Sequence, residues 1–311
     1  MARKLRIEFP DAVYHVINRG NYRRDLFTSA GEAGAFLSAL EEAVETFGWR
    51  LHAYAIMRNH YHVALRTPQP NLGEGMHWLQ TTFSTRFNRF RGERGHLFQG
   101  RYQALLVEDD AALARLVNYI HLNPVRAKIV APEQVASFRW SSLGRFVRGP
   151  RLPTMEAEPW LRALGMTDAP GGWRDYVDYL QHLAADPAEQ EQQGFATMSR
   201  GWSIGTHAWR RAVARDHSHL ALQPGLGAEE ARSLREARWE HRLNELLHAS
   251  RHSLVDAKAG ACSAPWKLEI AARLRRETGA AIAWLARTLH LGTASSARVY
   301  LCRHKERTTS N

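Results

Sequence analysis

Apolar positions in the first 125 residues switch between two periods, and each switch marks an element. Residues 12–20 (AVYHVINRG) alternate as a strand, and 30–48 (AGEAGAFLSALEEAVETFG) carry apolar residues at helical spacing. RLHAYAIM and HYHVALRT then read as two strands separated by the polar pair Arg58 and Asn59. A helix over 71–92, a strand over 97–108 and a helix over 110–124 complete the series. The order β-α-β-β-α-β-α predicts a ferredoxin-like, split βαβ antiparallel sheet with one extra helix, an α+β fold.

After about residue 135 the pattern turns to helical pieces divided by Pro/Gly-rich or polar stretches at 147–160, 168–172 and 184–194. Three regions follow: 1–135, a linker and helical extension over 136–195, and a helical region over 196–311. Within the last, about 266–303 has the form of a helix-turn-helix. Its helices lie at 280–289 and 295–303 around Leu291-Gly292, and Ser295, Ser296, Arg298 and Arg303 point outward.

Composition adds a partner class. Lys plus Arg total 42 against 31 Asp plus Glu, and since only five are Lys, 37 are Arg. The planar guanidinium pairs with phosphate through two bonds and stacks on bases, which fits nucleic acid. No run approaches the roughly 18 apolar residues of a membrane span. The first residues lack the apolar core of a signal peptide, and Cys262 and Cys302 are too few for a disulfide framework. The expected compartment is the cytoplasm, in association with the nucleoid.

Candidate chemistry sits in MRNHYHVALRT, residues 57–67. Strand side chains alternate faces, so His60 and His62 point the same way, roughly 7 Å apart at the backbone and within reach of one metal ion. A pair of structural histidines fits the same spacing. On helix 110–124, Tyr119 and Asn123 are spaced i, i+4 and share a face, and Pro124 disfavours helix beyond Asn123. His121 falls on another side. Tyr119 as a core aromatic and Asn123 as a cap is the alternative reading.

YHVINRG, HAYAIMRNHYHVAL, LFQGRY and LVNYIHLNPVRA, in this order over about residues 10–135, resemble the single-tyrosine HUH transposases. The phrase NYIHLNPVRA resembles the REP-associated branch, and residues 195–215 and the helix-turn-helix look like extensions of its longer members. The resemblance implies that 1–135 is a metal-dependent nuclease and strand transferase for single-stranded DNA, cutting at hairpin repeats. His60 and His62 would hold Mg²⁺ or Mn²⁺. Tyr119 would attack phosphorus, leaving a 5′-phosphotyrosine and a free 3′-hydroxyl. A phenol with a pKa of about 10 needs a nearby cation for that step. Small relatives place a Gln one turn after the Tyr as third ligand; here Asn123 stands there, with Glu108 or Asp109 as the acidic alternative.

For DNA contact the candidates are Asn18, Arg19, Arg23 and Arg24 after the first strand, Gln99, Arg101 and Tyr102 on the last, Arg126 after the helix, Arg86 and Arg89 on helix 71–92, and Arg298. The protein is expected to be a monomer or homodimer, using Tyr119 in cis or in trans. A regulator that binds DNA without cutting it is the competing function; an RNA-binding sheet would display aromatics where this one has His and Arg.

Overall fold

In the computed structural model, which describes residues 7–217 and 228–309, the first seven elements follow the predicted order. β1 (Ala12–Arg19) leads to α1 (Ala30–Thr46), β2 (Arg50–Met57), β3 (His60–Thr67), α2 (Leu72–Arg91), β4 (Gln103–Val107) and α3 (Asp110–Arg126). Local chemistry fixes the helix ends. The Ser29 hydroxyl accepts from the Glu32 N–H while the Glu32 carboxylate accepts from the Ser29 N–H at 2.9 Å, a capping box. α2 stops at Gly92, whose φ of 64° suits a residue without Cβ.

The strands form one mixed sheet in the order β2-β3-β1-β4-β5. β1 to β4 pair antiparallel, and the two-residue β5 (Ser203–Ile204) adds to β4 in parallel. α1 and α2 cover one face, where Tyr61 meets Phe36 with ring centroids 4.5 Å apart, and α3 packs on β2 and β3 from the other. A sheet covered on both faces buries both sets of side chains, so β2 and β3 are buried almost throughout.

Two local expectations change. Residues 97–102 do not extend the last strand: Gly100 has φ 73°, and only Phe98 makes an isolated bridge, to Gly20. α3 does not stop at Asn123 but continues through Pro124 to Arg126. Proline there removes only one N–H near the helix end, and the turn closes as Ala127, Lys128 and Ile129 donate to the carbonyls of Asn123, Val125 and Pro124.

The chain divides into a unit ending at His207 and a second from Ala208. Residues 136–195 carry α4 (Leu143–Arg148), α5 (Glu158–Ala163), α6 (Pro170–Ala185) and α7 (Pro187–Gln192). Phe146, Trp160, Trp173 and Tyr176 from this stretch are buried together against the α3 side, so the expected extension is part of the first unit's core.

The second unit holds most of α8 (His207–Asp216), then α9 (Ala228–Ala249), α10 (Leu254–Ala259), α11 (Pro265–Thr278), α12 (Ile282–Thr288) and α13 (Ala294–Thr309). Its core gathers Trp239, Leu243, Leu274, Trp284, Leu285 and Leu289. α12 and α13 occupy the two helical stretches predicted near residues 280–303. Among the described residues no helix is long and apolar enough to cross a membrane.

Candidate nucleophile and cation-ligand site

Register assembles the site. Residues directly opposed in an antiparallel pair share a face, and here Arg19 opposes His60, Ile17 opposes His62 and His15 opposes Ala64. His15, Arg19, His60 and His62 therefore lie on the face that α3 crosses. The His60 and His62 rings are 5.0 Å apart between centroids, and Tyr119 of α3 stands edge-on to His62 at 5.5 Å and to His15 at 6.0 Å. The expected trio of His60, His62 and Tyr119 is thus in one place.

Tyr119 is 7% exposed. Its hydroxyl shares a 2.9 Å hydrogen bond with the Ser199 hydroxyl, and Phe195 meets its ring edge-on at 5.5 Å. The Arg126 guanidinium lies over the Tyr119 ring at 5.0 Å and over Phe195 at 5.3 Å. Asn123, buried one turn along, donates through Nδ2 to the Tyr119 carbonyl at 2.8 Å, and its Oδ1 takes no bond among the described residues.

The histidines are held neutral. Burial lowers His60 to about 4, with the Arg19 cation acting in the same direction. Burial pushes His62 well below the usual range, with His15, His60, Arg19 and Arg126 adding to it. Neutral imidazoles carry the lone pair that a cation needs. His60 Nδ1 lies 2.7 Å from Asn59 Oδ1, and His62 Nδ1 lies 2.9 Å from His15 Nε2, so one nitrogen of each ring is held. Neither Nε2 has a hydrogen-bond partner among the described residues. Two imidazole Nε2 atoms and an amide oxygen are donor types that a divalent ion accepts. Among the described residues no group of three His, Cys, Asp or Glu could hold a metal. The acidic alternatives are engaged elsewhere: Glu108 accepts from the Thr206 hydroxyl at 2.9 Å, and Asp109 caps α3 through the Ala112 N–H at 2.8 Å.

His15 was not among the predicted site residues. It is fully buried, its Nδ1 is 2.8 Å from the Met198 carbonyl, and burial lowers it to about 4. His121 is a holding residue: its Nδ1 meets the Tyr176 hydroxyl at 3.0 Å and its Nε2 the Ser142 hydroxyl at 2.8 Å.

The DNA-contact candidates separate. Arg19 and Arg126 border the site and are exposed. Asn18 points to the opposite face, where it is buried and bonds the Arg19 N–H at 2.8 Å. Tyr102 is also buried and offers no stacking surface. Arg24 is paired with Glu93 at 2.7 Å, and Arg86 grips both oxygens of Glu42 at 2.6 and 2.8 Å. Arg23, Arg89, Gln99 and Arg101 are exposed, as is Arg298 in the second unit.

Sequence comparison finds likeness over the same span. Residues 8–123 match the family model of the IS200-like transposases. A protein of Haemophilus influenzae named as a REP-associated tyrosine transposase is 26% identical over 162 residues, which span 43% of this chain and 90% of that protein. A solved REP-associated tyrosine transposase bound to a REP hairpin aligns at 17% identity and a TM-score of 0.42, over 51% of this chain and 93% of that one. A Deinococcus radiodurans crystal structure described as a transposase aligns at 21% identity and a TM-score of 0.29, over 41% and 92%. The IS200-like segment contains His15, His60, His62, Tyr119 and Asn123, and ends there. Arg126, Phe195, Met198 and Ser199, which enclose Tyr119 and hold His15, lie beyond it.

Proposed function

We propose that this chain is a divalent-cation-dependent nuclease and strand transferase for single-stranded DNA, built on a ferredoxin-like HUH domain and acting at hairpin repeats. The observation that carries the reading is the placement of Tyr119 against His62, with the Nε2 atoms of His60 and His62 unpartnered and Asn123 one turn away.

His60, His62 and Asn123 would hold Mg²⁺ or Mn²⁺, which when bound supplies positive charge to offset the charge that builds on the phosphate oxygens. The remaining work falls to side chains. Tyr119 Oη gives up its hydrogen bond to Ser199, passes its phenolic proton to solvent and forms a bond to phosphorus, while the P–O3′ bond breaks and the 3′-oxygen takes a proton from solvent. Arg126, already over the ring at 5.0 Å, opposes the negative charge of the phenolate and of the DNA. The phosphotyrosine keeps the energy of the original diester, so a second 3′-hydroxyl can reverse the step and join new ends. Residues 1–135 carry the chemistry in this reading, and α12 and α13 act as a helix-turn-helix that offers exposed Arg298 to duplex DNA.

The test is a labelled single-stranded hairpin incubated with the full chain in Mg²⁺ or EDTA and run on a denaturing gel. A covalent protein–DNA band that needs the metal and is absent in Tyr119→Phe is the expected result. Cleavage by Tyr119→Phe at the wild-type rate would overturn the assignment of the nucleophile. Metal-independent binding with no covalent product would favour the regulator.

A further inference from the structure

His15 belongs to no role assigned so far, yet both of its ring nitrogens are engaged in the interior. Nδ1 is 2.8 Å from the Met198 carbonyl, and Nε2 is 2.9 Å from His62 Nδ1. A carbonyl oxygen only accepts, so the proton on this side sits on His15 Nδ1. The ring is fully buried and its two polar contacts are the Met198 carbonyl and the His62 ring, neither of them an anion, so the interior accommodates the neutral form with a lone pair on Nε2. His62 Nδ1 must then be the donor of the second bond. One tautomer of His62 satisfies the chain, and in that tautomer the Nε2 lone pair faces away from His15.

We propose that His15, oriented by the Met198 carbonyl, is a positioning residue that fixes His62 as its Nδ1–H tautomer and so presents the His62 Nε2 lone pair as a cation ligand. The ligand role rests on the reading given above; the tautomer assignment does not. The arrangement for His60 is different in kind. Its Nδ1 is held by the side chain of the adjacent residue, Asn59, and the ring is half-buried. His62 is set from farther off, through a buried ring on β1 and then through backbone beyond residue 123. A chain ending with the IS200-like segment would lack the acceptor that orients His15.

The experiment uses the full-length protein labelled with ¹⁵N at histidine and kept free of metal. Two-bond nitrogen–carbon-proton correlations distinguish the tautomers, and His15 and His62 are both expected as Nδ1–H. An Nε2–H spectrum for His62 overturns the proposal without any variant. Mn²⁺ affinity, followed by the free-ion electron paramagnetic resonance signal, is the second readout. His15→Leu removes the acceptor and is expected to leave His62 a mixture of tautomers and to weaken Mn²⁺ binding by about 10–100-fold. His15→Gln, whose amide can donate to Met198 and accept from His62, is expected to recover most of that loss. Unchanged tautomer and affinity in His15→Leu would overturn the proposal; if that variant does not fold, the wild-type spectrum and His15→Gln decide. Failure of the nuclease reading looks different. Cleavage that survives Tyr119→Phe alongside an Nδ1–H His62 removes the nucleophile and leaves His15 where it is placed here, whereas metal-dependent cleavage alongside an Nε2–H His62 removes only the role of His15.

Discussion

Replacing His121 by Leu separates holding the helix of Tyr119 from binding an ion. His121 is buried on α3, with Nδ1 3.0 Å from the Tyr176 hydroxyl and Nε2 2.8 Å from the Ser142 hydroxyl. Tyr176 donates onward to Asn118 Oδ1 at 3.1 Å, so it accepts from His121 Nδ1–H, and Nε2 accepts from Ser142. Ser142 in turn accepts from the Tyr54 N–H at 2.9 Å, which ties α3 to β2 through two side chains. Leucine deletes both bonds, yet Tyr176 keeps Asn118 and Ser142 keeps Tyr54, so neither hydroxyl is stranded. The loss is then two ordinary hydrogen bonds, about 2 kcal/mol in all. For a unit of this size that lowers Tm by about 4–8 °C. Urea unfolding followed by tryptophan fluorescence reports it, because Trp160 and Trp173 lie in the same cluster. Mn²⁺ affinity measured well below the transition is expected to stay at the wild-type value. A collapse of Mn²⁺ binding with the midpoint unmoved would make His121 a ligand and refute the reasoning.

Two further outcomes follow from buried groups. Burial, reinforced by Arg66, holds His52 neutral down to about pH 4, although Glu156 Oε2 lies 3.9 Å from its Nε2, since Arg66 is 3.8 Å from the same carboxylate oxygen. The unfolded chain takes up that proton near pH 6.5, so the contribution is complete above pH 6.5 and is lost on acidification towards pH 4, by about 3 kcal/mol. His52→Gln should flatten this part of the urea-midpoint profile, and an identical pH profile in the variant would count against the assignment. In the second unit, fully buried Lys267 donates to the Ala257 carbonyl at 2.6 Å and the Gly260 carbonyl at 2.9 Å, closing the end of α10. Lys267→Met leaves both acceptors without this donor and is expected to cost about 3 kcal/mol, read from Trp239 and Trp284 fluorescence; an unchanged transition would mean that the loop re-forms around the shorter side chain.

Much of the first unit was legible because the periods are long and their ends are chemically marked. The run to Thr46 keeps helical spacing behind a Ser29–Glu32 box, and the two strands at 50–67 turn on Arg58 and Asn59. Period two alone placed His60 and His62 on one face, and the i, i+4 spacing placed Asn123 under Tyr119. Pro124 was over-read as a stop, because near the end of a helix the missing N–H costs a single bond. Tyr102 was over-read as surface, because exposure of a residue beside a Gly-rich loop depends on which way the loop folds back, and Asn18 because strand alternation turns it to the face opposite Arg19 and His60, which is covered as well.

The residues that complete the site were hidden for a different reason. His15 reaches His62 only because β1 and β3 pair with Ile17 opposite His62, a diagonal neighbour that register creates and composition does not show. The stretch around Phe195 to Ile204 has no usable period: its strand is two residues long and its turns run through Gly194 at φ 77° and Gly201 at φ 76°. Its most consequential contact is made by a carbonyl, which every residue type possesses, so no substitution pattern at position 198 could announce it. The matched segment thus holds the candidate side chains, while the groups that contact them, the Met198 carbonyl on His15 and the Ser199 hydroxyl on Tyr119, arrive from a part of the chain whose sequence carries almost no signal of that task. A reading of this site confined to the matched segment would therefore reach His60, His62, Tyr119 and Asn123 and still miss both of those contacts.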